Sequence, residues 1–394
     1  MKLRLIGYLL LVIVAGCQTS APVDEEGYTK RRRGGHIQRA TAKPREFKDE
    51  LGQLLVDQMK EEQREGLGLF LFRIEDDKLL FASTFGVAET IRGRGSFSGT
   101  DAMSAGSSSL WVSAAVMLRL VAKRRIGLDS TTGKILGWKG EPGKITLRDL
   151  LSSISGLPGR PKGFDCFSRV DRTLQDCATE LYGKLLSGEI PLAKGGAMLS
   201  YGPSHIQVAA AMAERVTSQK WVDLVKSEFV VPLKLSSETT FFTQPAQREG
   251  RSNPSAFEGL VISMRDYAIF LRMLVDNGGK YLPERLVNAM LTDQFSLYTK
   301  IESSPMKTLL KKDFHMGFGN WIECEPGGDE GCKRLNMNSC PGVYGWYPFI
   351  DEGKGLYGVL AALEGHTATR SAEPALRSWR ILGKVREFTQ NWRF

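Results

Sequence analysis

A serine hydroxyl becomes a useful nucleophile only when a neighbouring group takes its proton. The sequence offers one serine placed for such work. Ala105-Gly106-Ser107-Ser108-Ser109-Leu110-Trp111-Val112 leads into a long apolar segment and closes at Gly127-Leu128-Asp129. Serine is a good N-cap, and neither Pro nor Gly interrupts the segment up to Arg125. Ala114, Ala115, Met117, Leu118 and Val121 fall at helical spacing, so one face should be buried. The expectation is a central, largely buried helix whose first turn presents Ser107. Three residues on, the position sharing a face with that serine could hold the base. Burial would lower the pKa of a lysine there and let it take the hydroxyl proton. Position 110 is leucine, which neither donates nor accepts.

Other segments supply no obvious substitute. Ser304-Pro305-Met306-Lys307 is a literal S-x-x-K. It lies in a polar, lysine-rich stretch, and a serine N-cap with Pro at the first helical position accounts for it. Lys123 is on the Ser107 helix but roughly 24 Å along its axis. No G-x-S-x-G elbow appears, so a Ser-His-Asp hydrolase is poorly supported. Ser200-Tyr201-Gly202-Pro203-Ser204-His205 opens an Ala-rich helix running to Val216, and His205 reads as a helix-start residue rather than a base. Tyr201, with an ordinary pKa of about 10, is a poor base at neutral pH. Positioned acid–base catalysis is worth roughly 10²–10⁴-fold, which bounds what Leu110 forfeits.

Taken together, the motifs resemble those of the serine β-lactamases, penicillin-binding proteins and related esterases, especially the class C-like branch. The pattern there is S-x-S-K-W, a small-residue helix, then L-V-x-x-G-x-L-x-L-D. Ser107 takes the nucleophile's place, and Trp111, Leu120, Val121, Leu128 and Asp129 fall in register. The lysine is replaced, by Leu110. Residues 145–158 resemble I-T-L-R-x-L-L-S-x-x-S-G-L, with Thr146 capping a short helix that Gly156 and Pro158 end. Tyr201 matches the tyrosine of the family's Tyr-x-Asn loop, with Pro203 where Asn is usual. Glu258 to Phe270 resembles G-G-L-x-x-S-x-x-D-x-A-x-F, with Glu258 in place of the first glycine, and reads as structure: a turn, then a helix with Ala268, Leu271 and Leu274 inward. Ser339-Cys340-Pro341-Gly342-Val343-Tyr344-Gly345 resembles the strand that borders substrate and oxyanion hole. Gly342 matches its glycine, and Cys340 stands where a hydroxyl or basic residue is usual. Gly365-His366-Thr367 imitates the same motif but follows the next strand, so it reads as a decoy.

The resemblance covers roughly residues 46–390. It implies an α+β, β-lactamase/transpeptidase-like fold: an antiparallel sheet flanked by terminal helices, with an all-α part at roughly 110–255. It also implies Ser107 and Tyr201 as catalytic positions and Cys340, Gly342 and Val343 as substrate contacts. The Ser107 and Val343 amides would form the oxyanion hole.

The elements that must position these residues read as follows. Residues 1–17 carry Lys2 and Arg4, an apolar run from Leu5 to Val14, and Val14-Ala15-Gly16-Cys17. That resembles a bacterial lipobox with Cys17 lipidated, and Gln18 resembles the outer-membrane-sorted class facing the periplasm. Residues 18–45 read as a disordered tether with the basic run Lys30-Arg31-Arg32-Arg33. Residues 46–394 are the domain. It opens with an amphipathic helix over 46–65, then strands at Leu69–Phe72 and Lys78–Ala82. Glycines among aromatics from Met316 to Ala362 read as antiparallel strands. Leu376, Trp379, Leu382 and Val385 mark a C-terminal helix on the sheet.

With 394 residues, 42% of them hydrophobic, the chain can build a sizeable core. The formal charge of +9 comes from scattered residues without zinc-finger spacing or an RNA-binding signature, which argues against nucleic acid. A weak attraction to anionic membrane surfaces fits better. Export permits disulfides, and paired cysteines in the relatives imply Cys166–Cys177 and Cys324–Cys332. Cys340 is then odd: it reads as a reactive thiol beside the site or, in preference, as a small buried hydrophobe. No metal-ligand spacing appears among the four histidines, so neither metal nor cofactor is expected. Two function classes follow. One is a degenerate hydrolase turned binding lipoprotein, holding a peptide, a peptidoglycan-like fragment or a protein partner. The other is a living serine hydrolase (esterase, peptidase or β-lactam hydrolase) working through an acyl-enzyme at Ser107.

Overall fold

In Gly66-Leu67-Gly68-Leu69-Phe70-Leu71-Phe72 the apolar side chains divide by the period of two that a strand imposes. Leu67, Leu69 and Leu71 enter one apolar cluster, while Phe70 and Phe72 pack on another across the sheet. A strand buried on both faces belongs at the centre of a sheet covered on both sides. The computed structural model describes residues 44–90, 93–296, 298–324, 335–363 and 373–392. Cys17 with its lipobox, nearly all of the 18–45 tether, Cys332 and Gly365-His366-Thr367 lie outside these residues.

The chain opens with α1 (Pro44–Glu61), β1 (Gly66–Arg73), β2 (Leu79–Thr90), β3 (Gly93–Ser96) and the short β4 (Met103–Ser104). A 3-10 turn at Gly106–Ser108 leads into α2 (Ser109–Ala122). A mainly helical segment follows: α3 (Thr132–Leu136), α4 (Leu147–Leu151), α5 (Leu174–Leu186), β5 (Met198–Ser200), α6 (Pro203–Thr217), α7 (Trp221–Val225) and α8 (Val231–Leu233). Then come β6 (Thr240–Phe241), β7 (Leu260–Ile262), α9 (Met264–Val275), α10 (Glu284–Leu291), β8 (Lys300–Ser303) and α11 (Pro305–Leu310). The chain closes through β9 (His315–Met316), β10 (Trp321–Cys324), β11 (Leu335–Ser339), β12 (Trp346–Asp351), β13 (Leu356–Leu363) and α12 (Glu373–Gln390).

The main sheet runs β3-β2-β1-β13-β12-β11-β10-β9, with every neighbouring pair antiparallel. On one face Phe47, Leu51 and Leu55 of α1 join Ile381, Leu382 and Val385 of α12 against Leu360 and Ala362. On the other face Tyr357, Val359 and Ala361 meet the larger core, which contains α2, α6 and α9. A three-stranded sheet, β4-β7-β6, sits beneath the α2 entry. This is the α+β, β-lactamase/transpeptidase-like arrangement. Among the described residues no helix is long and apolar enough to cross a membrane.

Local differences from expectation have local causes. The first helix stops at Glu61, because Gln63 turns the chain with φ +53 and Glu65 already pairs with Leu363. β2 runs far past Ala82, since its outer half gains β3 as a partner. α2 ends at Ala122, and Arg124 (φ +56) turns the chain before Arg125. It is also buried nearly all round instead of on one face, because sheet and helices enclose it. Thr146 caps α4, accepting from the Asp149 amide. That helix ends at Leu151, well before Gly156, as Ser153 takes φ +59. The 110–255 segment is not purely helical, since it also holds β5 and β6. On α12 the fully buried line runs through Ala375, Ser378, Ile381, Leu382 and Val385, leaving Leu376 and Trp379 half-buried.

Candidate active site

Ser107 sits in the 3-10 turn one residue ahead of the α2 N-cap. Gly106 makes that turn with φ +56, a conformation costly for a residue bearing Cβ. An added Cβ there would also meet Val343 N at 3.0 Å. The Ala105 amide donates to Leu260 O at 2.9 Å, which hangs the turn on β7. The neighbouring hydroxyls anchor it further. Ser108 donates to Cys340 O at 2.5 Å, Ser109 to Gly106 O at 2.6 Å, and Ser113 to Ala256 O at 2.7 Å. Ser108, Ser109 and Ser113 therefore hold backbone. The Ser107 hydroxyl, in a residue only 4% exposed, faces the Tyr201 phenol instead.

Tyr201 follows β5, and its amide donates to Ser303 O at 2.9 Å. Its ring lies against Trp321 (centroids 4.9 Å apart) and Phe257 (5.2 Å). Ser107 and the Trp321 indole are hydrogen-bond partners of the phenol. Burial pushes its pKa well above the ordinary value, and the acidic groups Cys340 and Glu258 push the same way. His205 supports the loop from behind. Its Nδ1 meets Ser155 Oγ at 2.8 Å and its Nε2 meets Ser200 O at 2.6 Å, the carbonyl just before Tyr201. A ring that donates from Nε2 and accepts at Nδ1 is neutral. Burial lowers its pKa to about 4, consistent with that state.

Leu110 is 2% exposed and joins the apolar core. Cys340 is 1% exposed. Its sulfur lies 3.3 Å from Ser107 O and 3.4 Å from Gly319 O, and the Trp111 amide points to it. The expected substrate contact at Cys340 is thus corrected. The thiol faces inward and secures the turn, and burial pushes its pKa up to about 12, so it stays protonated. Gly342 is required by contact: a Cβ there would lie 2.1 Å from Ala105 O. Val343 stands half-exposed beside Gly106. The amides of Ser107 and Val343 find no acceptor among the described residues, so both are free to polarise a carbonyl.

The disulfide Cys166–Cys177 is present, with Cα atoms 5.4 Å apart, and ties the turn before α5 to that helix. Cys324 ends β10, and its proposed partner Cys332 is among the residues not described. Ser304 caps α11 by accepting from the Lys307 amide, and Lys307 pairs with Asp313 at 3.2 Å. Lys123 pairs with Glu228 at 2.6 Å. Neither lysine replaces the missing base. Two site residues escaped the sequence reading: His205 as a support for Tyr201, and Glu258 as a charged neighbour of its phenol. The glutamate in a glycine's place was the available signal for the second.

The arrangement can bind and polarise a carbonyl beside a serine hydroxyl. It offers that hydroxyl a neutral phenol where a base is needed. Comparison with known proteins accords with this geometry. A model of the β-lactamase family matches residues 51–377. A Bacteroides dorei protein assigned to the β-lactamases is 25% identical, with a TM-score of 0.65 over 85% of this chain and 98% of that one. EstCE1, a hydrolase with promiscuous acyltransferase activity, shares the fold at 17% identity and a TM-score of 0.64, over 86% and 99% of the two chains. The LovD9 mutant of simvastatin synthase from Aspergillus terreus does so at 18% and 0.63, over 88% and 99%. Sheet order, serine turn, tyrosine loop and family match lead to one assignment: this chain belongs to the β-lactamase family.

Proposed function

We propose that the chain is a catalytically degenerate member of this family that uses the cleft at Ser107 to bind a peptide, a peptidoglycan-like fragment or a protein partner. One observation carries the reading: the groups placed to take the Ser107 proton are neutral or aliphatic. Leu110 fills the base's position, burial holds the Tyr201 phenol protonated, and Cys340 is a protonated thiol facing away. Even at its ordinary pKa of about 10, roughly one phenol in a thousand is ionised at pH 7. Burial reduces that further. In the same proposal Cys17 is lipidated and holds the chain at the outer membrane, facing the periplasm, with the basic tether beside the lipid surface.

A second reading, an active serine hydrolase, is favoured by the Ser107–Tyr201 contact and the two free amides. Intact-mass measurement separates the two. The full chain is incubated with a fluorophosphonate and, separately, a penicillin, with Ser107→Ala as control. The degenerate reading expects no adduct on the native chain and adducts on Leu110→Lys. An adduct on the native chain that vanishes with Ser107→Ala overturns it.

A further inference from the structure

The segment Ser255–Leu260 is pinned along its length. The Ala256 amide donates to Gln207 Oε1, and Ala256 O accepts from Ser113. The Glu258 amide donates to Ser255 Oγ at 3.1 Å. The Gly259 amide donates to Ser255 O at 2.8 Å, and a Cβ on Gly259 would lie 2.1 Å from Phe242 O. The Leu260 amide donates to Ser109 Oγ at 2.9 Å, and Leu260 O accepts from Ala105. On one side of Glu258, Phe257 packs on the Tyr201 ring; on the other, Leu260 holds the Ser107 turn. Glu258 therefore stands on a rigid backbone between the two defining residues of the cleft.

Its carboxylate is partly exposed. It makes no ion pair or side-chain hydrogen bond among the described residues, yet it bears electrostatically on the Tyr201 phenol. The groups beside it supply no cation: position 110 is a leucine in the apolar core, and the Cys340 thiol faces inward. A partly exposed carboxylate with no cation beside it is open to one brought by a ligand.

We infer that Glu258 is a specificity-determining residue and that the cleft takes the ammonium group of a peptide ligand, discriminating against carboxylates. An ammonium supplies the missing partner through charge-assisted hydrogen bonds, which are stronger than neutral ones. This inference rests on the binding reading of the cleft. Its test is run in a Ser107→Ala background, where no acyl chemistry can intervene. An adduct on the native chain would overturn the degenerate reading without touching the charge preference, and the reverse also holds.

Three capped probes differ only in side chain: N-acetyl-lysine, N-acetyl-norleucine and N-acetyl-glutamate methylamides. Binding is followed by ¹⁵N-labelled NMR at the Trp321 indole and the Val343 amide. The lysine probe should bind about tenfold more tightly than norleucine, the worth of one charge-assisted bond. Glu258→Gln should erase that ratio, and Glu258→Lys should turn the preference to glutamate. Equal affinities, a lysine preference that survives Glu258→Gln, a glutamate preference in the parent, or no shift with any probe would each overturn the inference.

Discussion

Two glutamates of this molecule stand in opposite settings: Glu323 is buried in the fold, and Glu258 is partly exposed beside the cleft. Glu323, on β10, accepts hydrogen bonds from Ser339 and from the Tyr347 hydroxyl, the latter at 2.7 Å, on the side of the sheet away from the cleft. Glu258, beside Tyr201, has neither an ion pair nor a side-chain hydrogen bond among the described residues. Burial raises the pKa of Glu323, and its two hydroxyl partners oppose that rise. The difference separates a carboxylate that organises the fold from one left available to something outside it.

The comparison is broken most severely by Glu323→Leu. That change strands the Ser339 and Tyr347 hydroxyls in a dry interface, and chemical denaturation at pH 7 should show a loss of about 3 kcal/mol. A loss below about 1 kcal/mol would show that the network is not structural.

A pH series sharpens the contrast next. His205 is neutral in the fold with a pKa near 4, against about 6.5 when unfolded. The unfolded chain therefore binds the extra proton between those values, and stability falls as pH drops through that window. From pH 7.5 to pH 5 this one group should remove about 2 kcal/mol. His205→Gln should remove that slope. Glu323 acts with the opposite sign, because its folded pKa is raised: stability it withholds at neutral pH returns as the pH falls towards that value. A wild-type slope matched by His205→Gln would rule out the histidine as its source.

Smaller still is Cys340→Ala. It removes the sulfur contacts to Ser107 O and Gly319 O and should cost about 1–2 kcal/mol in thermal unfolding, with no change in charge at the cleft. The smallest effect belongs to Glu258→Gln. As no partner is lost, stability should stay within about 0.5 kcal/mol of the parent. A large loss would mean that Glu258 is another Glu323.

Much of the fold was legible because its signals are local. Ser304 before Pro305, Thr146 before Leu147, and the apolar spacing of α9 each state their structure within a few residues. The serine turn was legible for the same reason, since Gly106 and the hydroxyl run are contiguous. What surrounds it was not. Cys340 O, Leu260 O and Ser303 O reach the site from segments far along the chain, and no spacing rule announces them. The inward direction of the Cys340 sulfur and the support of Tyr201 by His205 are consequences of packing. Glu258 was visible as a departure from a pattern, but a departure has no meaning until its neighbours are known. The outer half of β2 was missed because its residues are mixed in polarity and lie towards the sheet edge.

The pairing of β1 with β13 carries a kinetic consequence. Gly66 is matched with Leu363 and Arg73 with Leu356, so the middle of the main sheet joins the first strand made to the last. Pairings this distant in sequence are slow to close, and they leave strand edges open to other chains in the interval. Among the described strands, β1 has β2 beside it during synthesis and waits for β13 to emerge. A chain cut short before Leu356 has two half-sheets with raw inner edges, and its expected fate is aggregation.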